Sequence, residues 1–297
     1  MDLAHLLTEQ HRPELADLDL RTTGDLVGLM VSDHKHALDA VAKVAPEIES
    51  AVEAVVDRMR SGGRLLYVGA GTAGRLGLLD AAECPPTFNT DRVVGFLAGG
   101  EEAFLVSKEA VEDDESQGAA DTDLQGVSEH DAVVGLAASG RTPYTLGAVK
   151  RASELGAVTI GISCNPDSQL SSVVDHPIEV IVGPEVIAGS TRLKAGTAQK
   201  VILNIISTIA MVRLGKTFGN LMVDLRATNE KLRDRAKRIV AQATGADAES
   251  ISAALAQAEG DVKVAVLMLL QGIDVEAARA DLERENGIIR NTLKDRA

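Results

Sequence analysis

Residues 65–86 read LLYVGAGTAGRLGLLDAAECPP, and this stretch decides the predicted fold. A short apolar run meets Gly69, Gly71 and Gly74, and a segment with helical spacing of apolar residues follows. Glycines between a strand and a helix let the backbone approach an anion, and the first N–H groups of the helix point towards it. The stretch therefore predicts a strand, an anion-binding turn and a helix that ends at Glu83, just before Cys-Pro-Pro.

Short, mostly β-branched apolar runs recur along the middle of the chain, and helical segments separate several of them. Strands that alternate with helices form parallel sheets joined by right-handed crossovers. The sequence therefore predicts an α/β fold in which helices flank a parallel sheet. The predicted strands are 64–68, 93–97, 132–137, 157–162 and 178–182, and the predicted helices are 22–45, 47–60, 75–83, 101–112, 143–155, 194–214 and 228–242.

The composition limits the classes of function. The 297 residues are 45% hydrophobic, which is enough for a buried core in one or two domains. Aromatic residues make up only 2% and the net charge is −14, which argues against nucleic-acid and anionic-membrane partners. Two cysteines are too few for a disulfide scaffold. The start has no signal-peptide core and no apolar run reaches membrane-spanning length, so we expect a cytoplasmic protein.

The glycine spacing alone fits two kinds of ligand. A dinucleotide site places an acidic residue at the end of the second strand, about 20 residues on, to bind the ribose. Here that strand runs into Ala98-Gly99-Gly100, and Asp91 lies before it, at the opposite end. The context therefore favours a phosphate over NAD. The candidate residues of this first loop are Gly71, Thr72, Ala73, Gly74 and Arg75.

A second candidate anion site follows the third predicted strand, in AASGRTPY (137–144). Hydroxyl and N–H groups at a helix N-terminus suit a phosphate, and proline is favoured at the first helical position. The candidate ligands are Ser139, Gly140, Arg141 and Thr142. Plain N-capping is the commoner role of such hydroxyl residues, and a surface position is the ordinary role of either arginine. Two such loops at one edge of a sheet favour at least one phosphate site.

Four long stretches carry a family resemblance. They are GAGTAGRLGLLDAAECPPTF (69–88), AASGRTPY (137–144), GPEVIAGSTRLKAGTAQK (183–200) and GKTFGNLMVDLRATNEKL (215–232). Together they resemble the N-acetylmuramic acid 6-phosphate etherases, and the resemblance extends from about Thr8 to the C-terminus. The glucokinase regulatory protein is a relative that shares the fold without the chemistry.

The resemblance implies a sugar isomerase (SIS) domain, a flavodoxin-like three-layer sandwich of helices around a parallel sheet. It also implies a homodimer whose sites borrow residues from the partner subunit. The tail resembles a ubiquitin-associated-type bundle of three helices, with Gly260 and Gly272 at the joints. The predicted organisation is N-terminal helices over 1–60, a sugar-phosphate-binding domain over 61–225 and a helical region over 226–297, with the bundle at about 246–297.

The family reaction removes the D-lactyl ether from C3 of N-acetylmuramic acid 6-phosphate during cell-wall recycling and leaves N-acetylglucosamine 6-phosphate. By resemblance, the sugar opens to its aldehyde, a base takes the C2 proton, lactate leaves from C3, and water adds to the product. The resemblance implies no metal and no organic cofactor. The histidines also lack metal-ligand spacing, since the closest pair, His34 and His36, would point apart on a helix.

This chemistry requires two carboxyl groups in opposite protonation states, one to abstract a proton and one to protonate the leaving group. By resemblance to the family's Glu-Cys-Pro motif, Glu83 is the acid that protonates departing lactate. By resemblance to the family glutamate that precedes an aspartate pair, Glu112 is the base at C2. From the residues alone, Glu112 belongs to an acidic run over 109–115 that suits a solvated surface, and Glu83 suits a helix-end surface carboxylate.

Further candidates lie in GSTRLKAG (189–196). Ser190 precedes a long helix and Lys194 opens it, where both suit a phosphate contact; capping and helix-end surface charge suit them as well. The family usually has a serine where this chain has Ala73, so the first loop lacks one hydroxyl. The hydroxyls placed to compensate are those of Thr72, Ser139 and Thr142.

Two other functions stay open at this point. An aldose–ketose isomerase of the same fold would use a base at C2 but no leaving-group acid, so the Glu-Cys-Pro-Pro motif disfavours it. A non-catalytic sugar-phosphate regulator would tolerate the loss of Glu83 and Glu112. Such regulators usually carry a DNA-binding or second sugar-binding domain, and this sequence shows neither a basic recognition helix nor a repeat.

Overall fold

The computed structural model describes residues 6–106, 108–225 and 230–294, and the chain forms two compact units. The first unit comprises Met1–Ala82 and Arg92–Ser207, and the second comprises Glu83–Asp91 and Thr208–Ala297. The N-terminal helices therefore belong to the same unit as the sheet. The predicted domain boundaries after residues 60 and 225 stay predictions.

Strands and helices alternate through the first unit, and helices make up the second. The strands are β1 (Leu65–Gly69), β2 (Val93–Leu97), β3 (Ala132–Leu136), β4 (Val158–Ser163) and β5 (His176–Glu179). The helices are α1 (Thr23–Lys43), α2 (Ala45–Arg60), α3 (Gly71–Phe88), α4 (Glu102–Leu105), α5 (Glu115–Leu124), α6 (Pro143–Glu154), α7 (Lys194–Arg213), α8 (Glu230–Thr244), α9 (Ala248–Gln257), α10 (Val262–Gln271), α11 (Val275–Arg284) and α12 (Ile289–Lys294).

The strands form one parallel sheet in the order β2-β1-β3-β4-β5. β1 and β3 are paired so that Gly69 lies opposite Leu136 at the carboxyl edge. Every residue of β1, β3 and β4 is buried, as expected for parallel strands that are covered on both faces. The predicted parallel α/β fold is confirmed, and each predicted strand overlaps an observed one.

Helices cover both faces of the sheet. α6 packs on the face formed by Leu66 and Val133. α3 packs on the face of Tyr67 and Leu136, since a Cβ built on Gly77 would lie 2.9 Å from an atom of each side chain. Successive residues of a strand point to opposite faces, which places α3 and α6 on different sides. The first unit is therefore a three-layer sandwich.

α3 continues through the Cys-Pro-Pro segment, so the predicted helix end at Glu83 is wrong. Pro85 and Pro86 lie inside the helix, and each lacks the N–H group that would bond the carbonyl four residues back. Because proline's fixed φ is itself helical, the helix still reaches Phe88, and the N–H of Asn89 donates to the Pro85 carbonyl at 2.9 Å. Asn89 then adopts a left-handed φ of 48°, which ends the helix.

The predicted helix over 101–112 is wrong in its extent. Among the described residues of this stretch, the chain forms the four-residue α4 and then a 3-10 turn, Glu109–Asp113. The sequence does not predict the next helix, α5, because α5 has no apolar stripe. α5 packs through its backbone instead: a Cβ built on Gly118 would lie 1.9 Å from the carbonyl oxygen of Tyr144 on α6.

The second unit has an apolar core of its own. Val240 of α8, Val266 of α10 and Ala278 of α11 are fully buried in one cluster. The predicted joints are confirmed, since Gly260 and Gly272 have φ values of 85° and 66° and lie between helices. A fourth short helix, α12, follows the three predicted ones. The likeness to a ubiquitin-associated bundle stays a prediction.

Two further predictions concern α8 and α7. The predicted helix over 228–242 begins at residues that lie outside the described ones, and α8 starts at Glu230. α7 is long and apolar enough to cross a membrane, which contradicts the expectation that no apolar run reaches that length. Of its most apolar stretch, 56% is buried inside the protein, as in the core helix of a folded domain.

Candidate active site

The first glycine loop joins β1 to α3 at the carboxyl edge of the sheet. A Cβ built on Gly74 would lie 2.6 Å from the carbonyl oxygen of Gly69, and a Cβ on Gly69 would lie 2.9 Å from that of Leu136. Gly69 and Gly74 are therefore needed for close packing of the helix against the strands. Gly71, with a φ of +52°, opens α3 and turns the backbone at its N-terminus.

The predicted base lies against this turn. A Cβ built on Gly71 would lie 2.7 Å from Oε1 of Glu112, so the carboxylate occupies the space that any larger residue at 71 would need. Glu112 is half-buried on the 3-10 turn, whereas Asp113 and Asp114 beside it are exposed. The acidic run is thus divided: its second half faces solvent, while Glu112 faces the first turn of α3.

The second loop joins β3 to α6 on the same edge. Gly140 has a φ of +69°, and a Cβ there would lie 2.3 Å from the Cβ of Ser168, so only glycine fits. The hydroxyl of Ser139 accepts the N–H of Arg141 at 3.2 Å. Thr142 is the N-cap residue of α6, yet its side chain makes no capping hydrogen bond. Capping therefore does not account for the Thr142 hydroxyl.

A cavity of about 420 Å³ adjoins the second loop. Its lining residues are Leu6, Ser139, Arg141, Asn165, Pro166, Asp167, Ser168 and Gln169. Asn165 is buried two residues after β4, and its amide donates to the Thr8 hydroxyl and to the Ala138 carbonyl, both at 3.0 Å. The N-terminal segment is thereby tied to the second loop, which makes it a wall of the cavity.

Lys194 lies at the start of α7 and is almost completely buried. Its Nζ donates to the Pro184 carbonyl at 2.7 Å and pairs with Asp33 at 3.3 Å. Glu185, fully buried, accepts the N–H groups of Lys194 and Ala195 at 3.0 and 2.9 Å. The N-terminus of α7 thus already holds a carboxylate, and a substrate contact by Lys194 stays a prediction.

The remaining loop candidates are Thr72, Ala73 and Ser190. The methyl group of Thr72 would lie 3.6 Å from a Cβ built on Gly196, so Thr72 points towards the first turn of α7. Ala73 is buried at 7% exposure. Ser190 is half-buried in the turn before α7, where its N–H donates to the Ile187 carbonyl at 3.0 Å.

The two candidate arginines differ in their contacts. The Nε of Arg75 donates to the carbonyls of Ala103 and Phe104, both at 3.1 Å, and its Nη2 donates to Ala103 at 2.8 Å. Arg141 is half-buried and lines the cavity. The expectation that either arginine adds positive charge to a bound phosphate stays a prediction.

Glu83 lies on α3 in the second unit, and its side chain is exposed. It follows Gly71 by twelve residues on the same helix. The carbonyl of Glu83 accepts the Thr87 hydroxyl at 2.9 Å.

Sequence reasoning misses the polar groups that hold these loops together. Asn165 bonds Thr8 across 157 residues, and Lys194 pairs with Asp33 across 161 residues. No local pattern indicates such contacts. For Glu185 the sequence gives only a weak indication. It precedes a predicted helix by nine residues, and a carboxylate is favoured at a helix N-terminus.

Thiol and metal chemistry find little support among the described residues. Burial raises the pKa of the Cys164 thiol far above its ordinary value, and the nearby Glu185 adds to this effect. A thiol held in its neutral form is a poor nucleophile. No cluster of three or more histidine, cysteine, aspartate or glutamate side chains among the described residues could hold a metal ion.

Models of known protein families identify the class of protein. The family model of the glucokinase regulatory protein N-terminal SIS domain matches residues 47–153, and the SIS domain model matches residues 108–207. Among solved structures, a phosphoheptose isomerase from Francisella tularensis aligns with 65% of this chain and 98% of its own, at a TM-score of 0.48 and 19% identity. By the two family models, the parallel sheet with its two loops is a SIS domain.

The relatives specify the family. N-acetylmuramic acid 6-phosphate etherase from Rubrobacter xylanophilus is 59% identical over 282 residues, with 94% of each chain covered. The enzyme of the same name from Streptomyces avermitilis is 54% identical over 294 residues and covers 98% of this chain and 94% of its own. The chain belongs to the N-acetylmuramic acid 6-phosphate etherase family, which consists of carbon–oxygen lyases. Membership disfavours the isomerase and the non-catalytic regulator.

Proposed function

We propose that the chain cleaves the D-lactyl ether of N-acetylmuramic acid 6-phosphate and releases N-acetylglucosamine 6-phosphate and D-lactate, in the recycling of peptidoglycan amino sugars. The observation that carries the proposal is the carboxylate of Glu112 against Gly71, at the anion-binding turn of a SIS domain. The high identity to etherases over nearly the whole chain supports the same reaction.

The 6-phosphate is held at the second loop. The supporting observations are the N-terminus of α6, the Thr142 hydroxyl that makes no capping bond, and Arg141 beside the cavity. Backbone N–H groups and the positive end of a helix dipole favour a phosphate at such a position. The proposed phosphate ligands are Ser139, Gly140, Arg141 and Thr142, with Gly71, Thr72, Ala73 and Gly74 closing the opposite side.

Glu112 is the base. Once the sugar has opened to its aldehyde, the C2–H bond lies next to a carbonyl, and a carboxylate can take the proton. The electron pair of that bond forms a C2=C3 double bond as the C3–O bond breaks, and lactate leaves with the oxygen. The carboxylate that takes the proton lies against Gly71, the first residue of α3. Water then adds at C3 and a proton returns to C2.

Glu83 is the acid that protonates the departing lactate oxygen, and it acts from the other subunit of a homodimer. The Glu-Cys-Pro motif that this chain shares with the family supports the role of Glu83. Because the side chain of Glu83 is exposed, a second copy of the chain can approach it.

Elimination next to an aldehyde needs a base and an acid, both of which the two glutamates supply. The reaction therefore proceeds with no metal and no organic cofactor. The acidic net charge of −14 fits a cytoplasmic enzyme with a small-molecule substrate and neither a nucleic-acid nor a membrane partner.

The test is incubation with N-acetylmuramic acid 6-phosphate in D₂O. The wild-type chain should release D-lactate and place deuterium at C2. Glu112→Gln should abolish both lactate release and C2 exchange, whereas Glu83→Gln should lose release and keep some exchange. Asp113→Asn, an exposed neighbour in the same acidic run, is the matched control and should behave as wild type. Normal lactate release by Glu112→Gln would overturn the assignment of the base.

A further inference from the structure

A role in phosphate binding does not account for the contacts that Arg75 makes. It lies in the first turns of α3, half-buried, and its guanidinium donates three hydrogen bonds to the backbone carbonyls of Ala103 and Phe104 at 2.8–3.1 Å. The planar guanidinium presents its N–H groups as a fork that suits two neighbouring acceptors, which a lysine ammonium cannot reproduce.

The two carbonyls belong to α4, a helix of only four residues. The last four carbonyls of any helix have no partner within it, so Ala103 and Phe104 depend on donors from elsewhere. Arg75 supplies those donors and joins α4 to α3. Eight residues beyond Phe104 the chain reaches Glu112.

α4 and the 3-10 turn that carries Glu112 both approach Gly99. Gly99 lies two residues after β2 and has a φ of +83°, and a Cβ there would lie 3.1 Å from the Cβ of Ala103 and 3.2 Å from a methyl of Val111. Ala103 of α4 and Val111 of the 3-10 turn therefore lie beside the same glycine. Because interiors are closely packed, a displacement of α4 would disturb the packing of Val111, the residue directly before Glu112.

We propose that Arg75 is a positioning residue for the base: it fixes segment 99–113 on α3 and thereby holds the carboxylate of Glu112 against Gly71. Gly71 and Arg75 are four residues apart and so lie on one side of α3, where the clamp and the carboxylate contact the same turn. This inference rests on the proposed role of Glu112. It assigns Arg75 a mechanical function in place of a charge for the phosphate.

Two variants separate the mechanical role from the charge. Arg75→Lys keeps the positive charge but loses the fork, and Arg75→Met loses both. If Arg75 positions the base, both variants should lower kcat and C2 deuterium exchange by about tenfold to a hundredfold, the effect of a displacement of about 1 Å. KM should change by less than about threefold, because substrate binding is retained.

Amide hydrogen exchange gives a readout that does not depend on turnover. Peptides that cover 99–106 and 108–113 should exchange faster in both variants than in the wild type, while peptides of β3 and β4 should not change. Glu102→Gln is the matched control, since it removes only the exposed ion pair with Lys108 from the same segment. It should leave kcat, KM and exchange within about twofold of wild type.

The outcomes are distinguishable. A normal kcat and normal C2 exchange in Arg75→Lys would overturn the positioning role. A raised KM in Arg75→Met together with a wild-type KM in Arg75→Lys would also overturn it and would favour a role for the charge in binding the phosphate. Loss of activity with unchanged amide exchange over segment 99–113 would overturn it too. If the wild-type chain shows neither lactate release nor C2 exchange, it is the proposed function that fails.

Discussion

Asp80 and Lys200 form an ion pair of 2.7 Å although 120 residues separate them along the chain. The side chain of Asp80 is only 3% exposed, and its carboxylate also accepts from Asn204 at 2.7 Å and from the Tyr67 hydroxyl at 3.2 Å. The pair joins α3, which bears the first glycine loop, to α7. A buried carboxylate is costly to leave without its cation.

The first prediction concerns this pair. Lys200→Met leaves the buried carboxylate of Asp80 without its cation, and we expect a loss of about 3 kcal/mol in the free energy of unfolding, measured by urea denaturation. The control is Asp234→Asn, which breaks the ion pair between Asp234 and Arg238, whose side chains are both 67% exposed. This substitution should lower the free energy of unfolding by less than about 1 kcal/mol. Equal effects of the two substitutions would contradict the importance of the buried pair.

A second prediction concerns the dependence of stability on pH. Burial by itself would raise the pKa of Asp131, but hydrogen bonds from Arg64 and from the Ser128 N–H outweigh it and hold the pKa below its ordinary value. A carboxyl whose pKa is lower in the folded state stabilises the fold above its unfolded pKa. That stability is lost as the pH falls through the folded pKa.

Asp131→Asn should therefore destabilise the chain at pH 7, by about 2 kcal/mol, and the difference from wild type should shrink as the pH falls below about 4. The measurement is the unfolding free energy of both proteins between pH 7 and pH 3. A difference that stays constant over this range would show that the charge of Asp131 does not contribute.

The third prediction tests the backbone contact between α5 and α6. A Cβ at Gly118 would lie 1.9 Å from the Tyr144 carbonyl, so Gly118→Ala should force the helices apart and lower the unfolding free energy by about 3 kcal/mol. Gly28→Ala is the matched control: Gly28 lies inside α1 with no atom within 4 Å of its built Cβ, and alanine is favoured in a helix. That substitution should stabilise the chain by up to about 1 kcal/mol.

The fourth prediction separates ligand binding from capping. Since the Thr142 hydroxyl makes no capping bond, Thr142→Val should leave the melting temperature near that of wild type and raise KM about tenfold. Asp247 is a true cap, which accepts the N–H groups of Glu249 and Ser250 at 3.0 and 2.9 Å. Asp247→Ala should therefore cost about 1 kcal/mol of stability and leave KM unchanged. The reverse pattern would return Thr142 to an ordinary structural role.

Much of the first unit could be predicted because its signals are local. The β-branched runs indicate the strands of the sheet, and the glycines between β1 and α3 indicate the first loop. The errors arise where packing overrides local preference. α3 passes through Pro85 and Pro86, since proline removes a donor but keeps a helical φ. α5 has no apolar stripe to detect, since Gly118 packs through the backbone.

The candidate site, too, could be predicted from the sequence only in part. The residue types and the motifs around Glu83, Glu112 and Thr142 predict which chemistry the chain can perform. They do not predict that Glu112 reaches Gly71 or that Arg75 binds the carbonyls of α4. Those contacts join residues tens of positions apart and depend on how the loops fold over the sheet edge.

The amino-acid sequence by itself determined the parallel sheet, the two glycine loops and the family of the chain, because periodicity, turn chemistry and motifs are written within short stretches. Only the tertiary structure decided which carboxylate lies at the first turn of α3 and which buried partners, such as Asp33 and Glu185, surround Lys194. The physical reason is that a hydrogen bond or an ion pair acts over about 3 Å, and only the folded chain brings distant residues within that range.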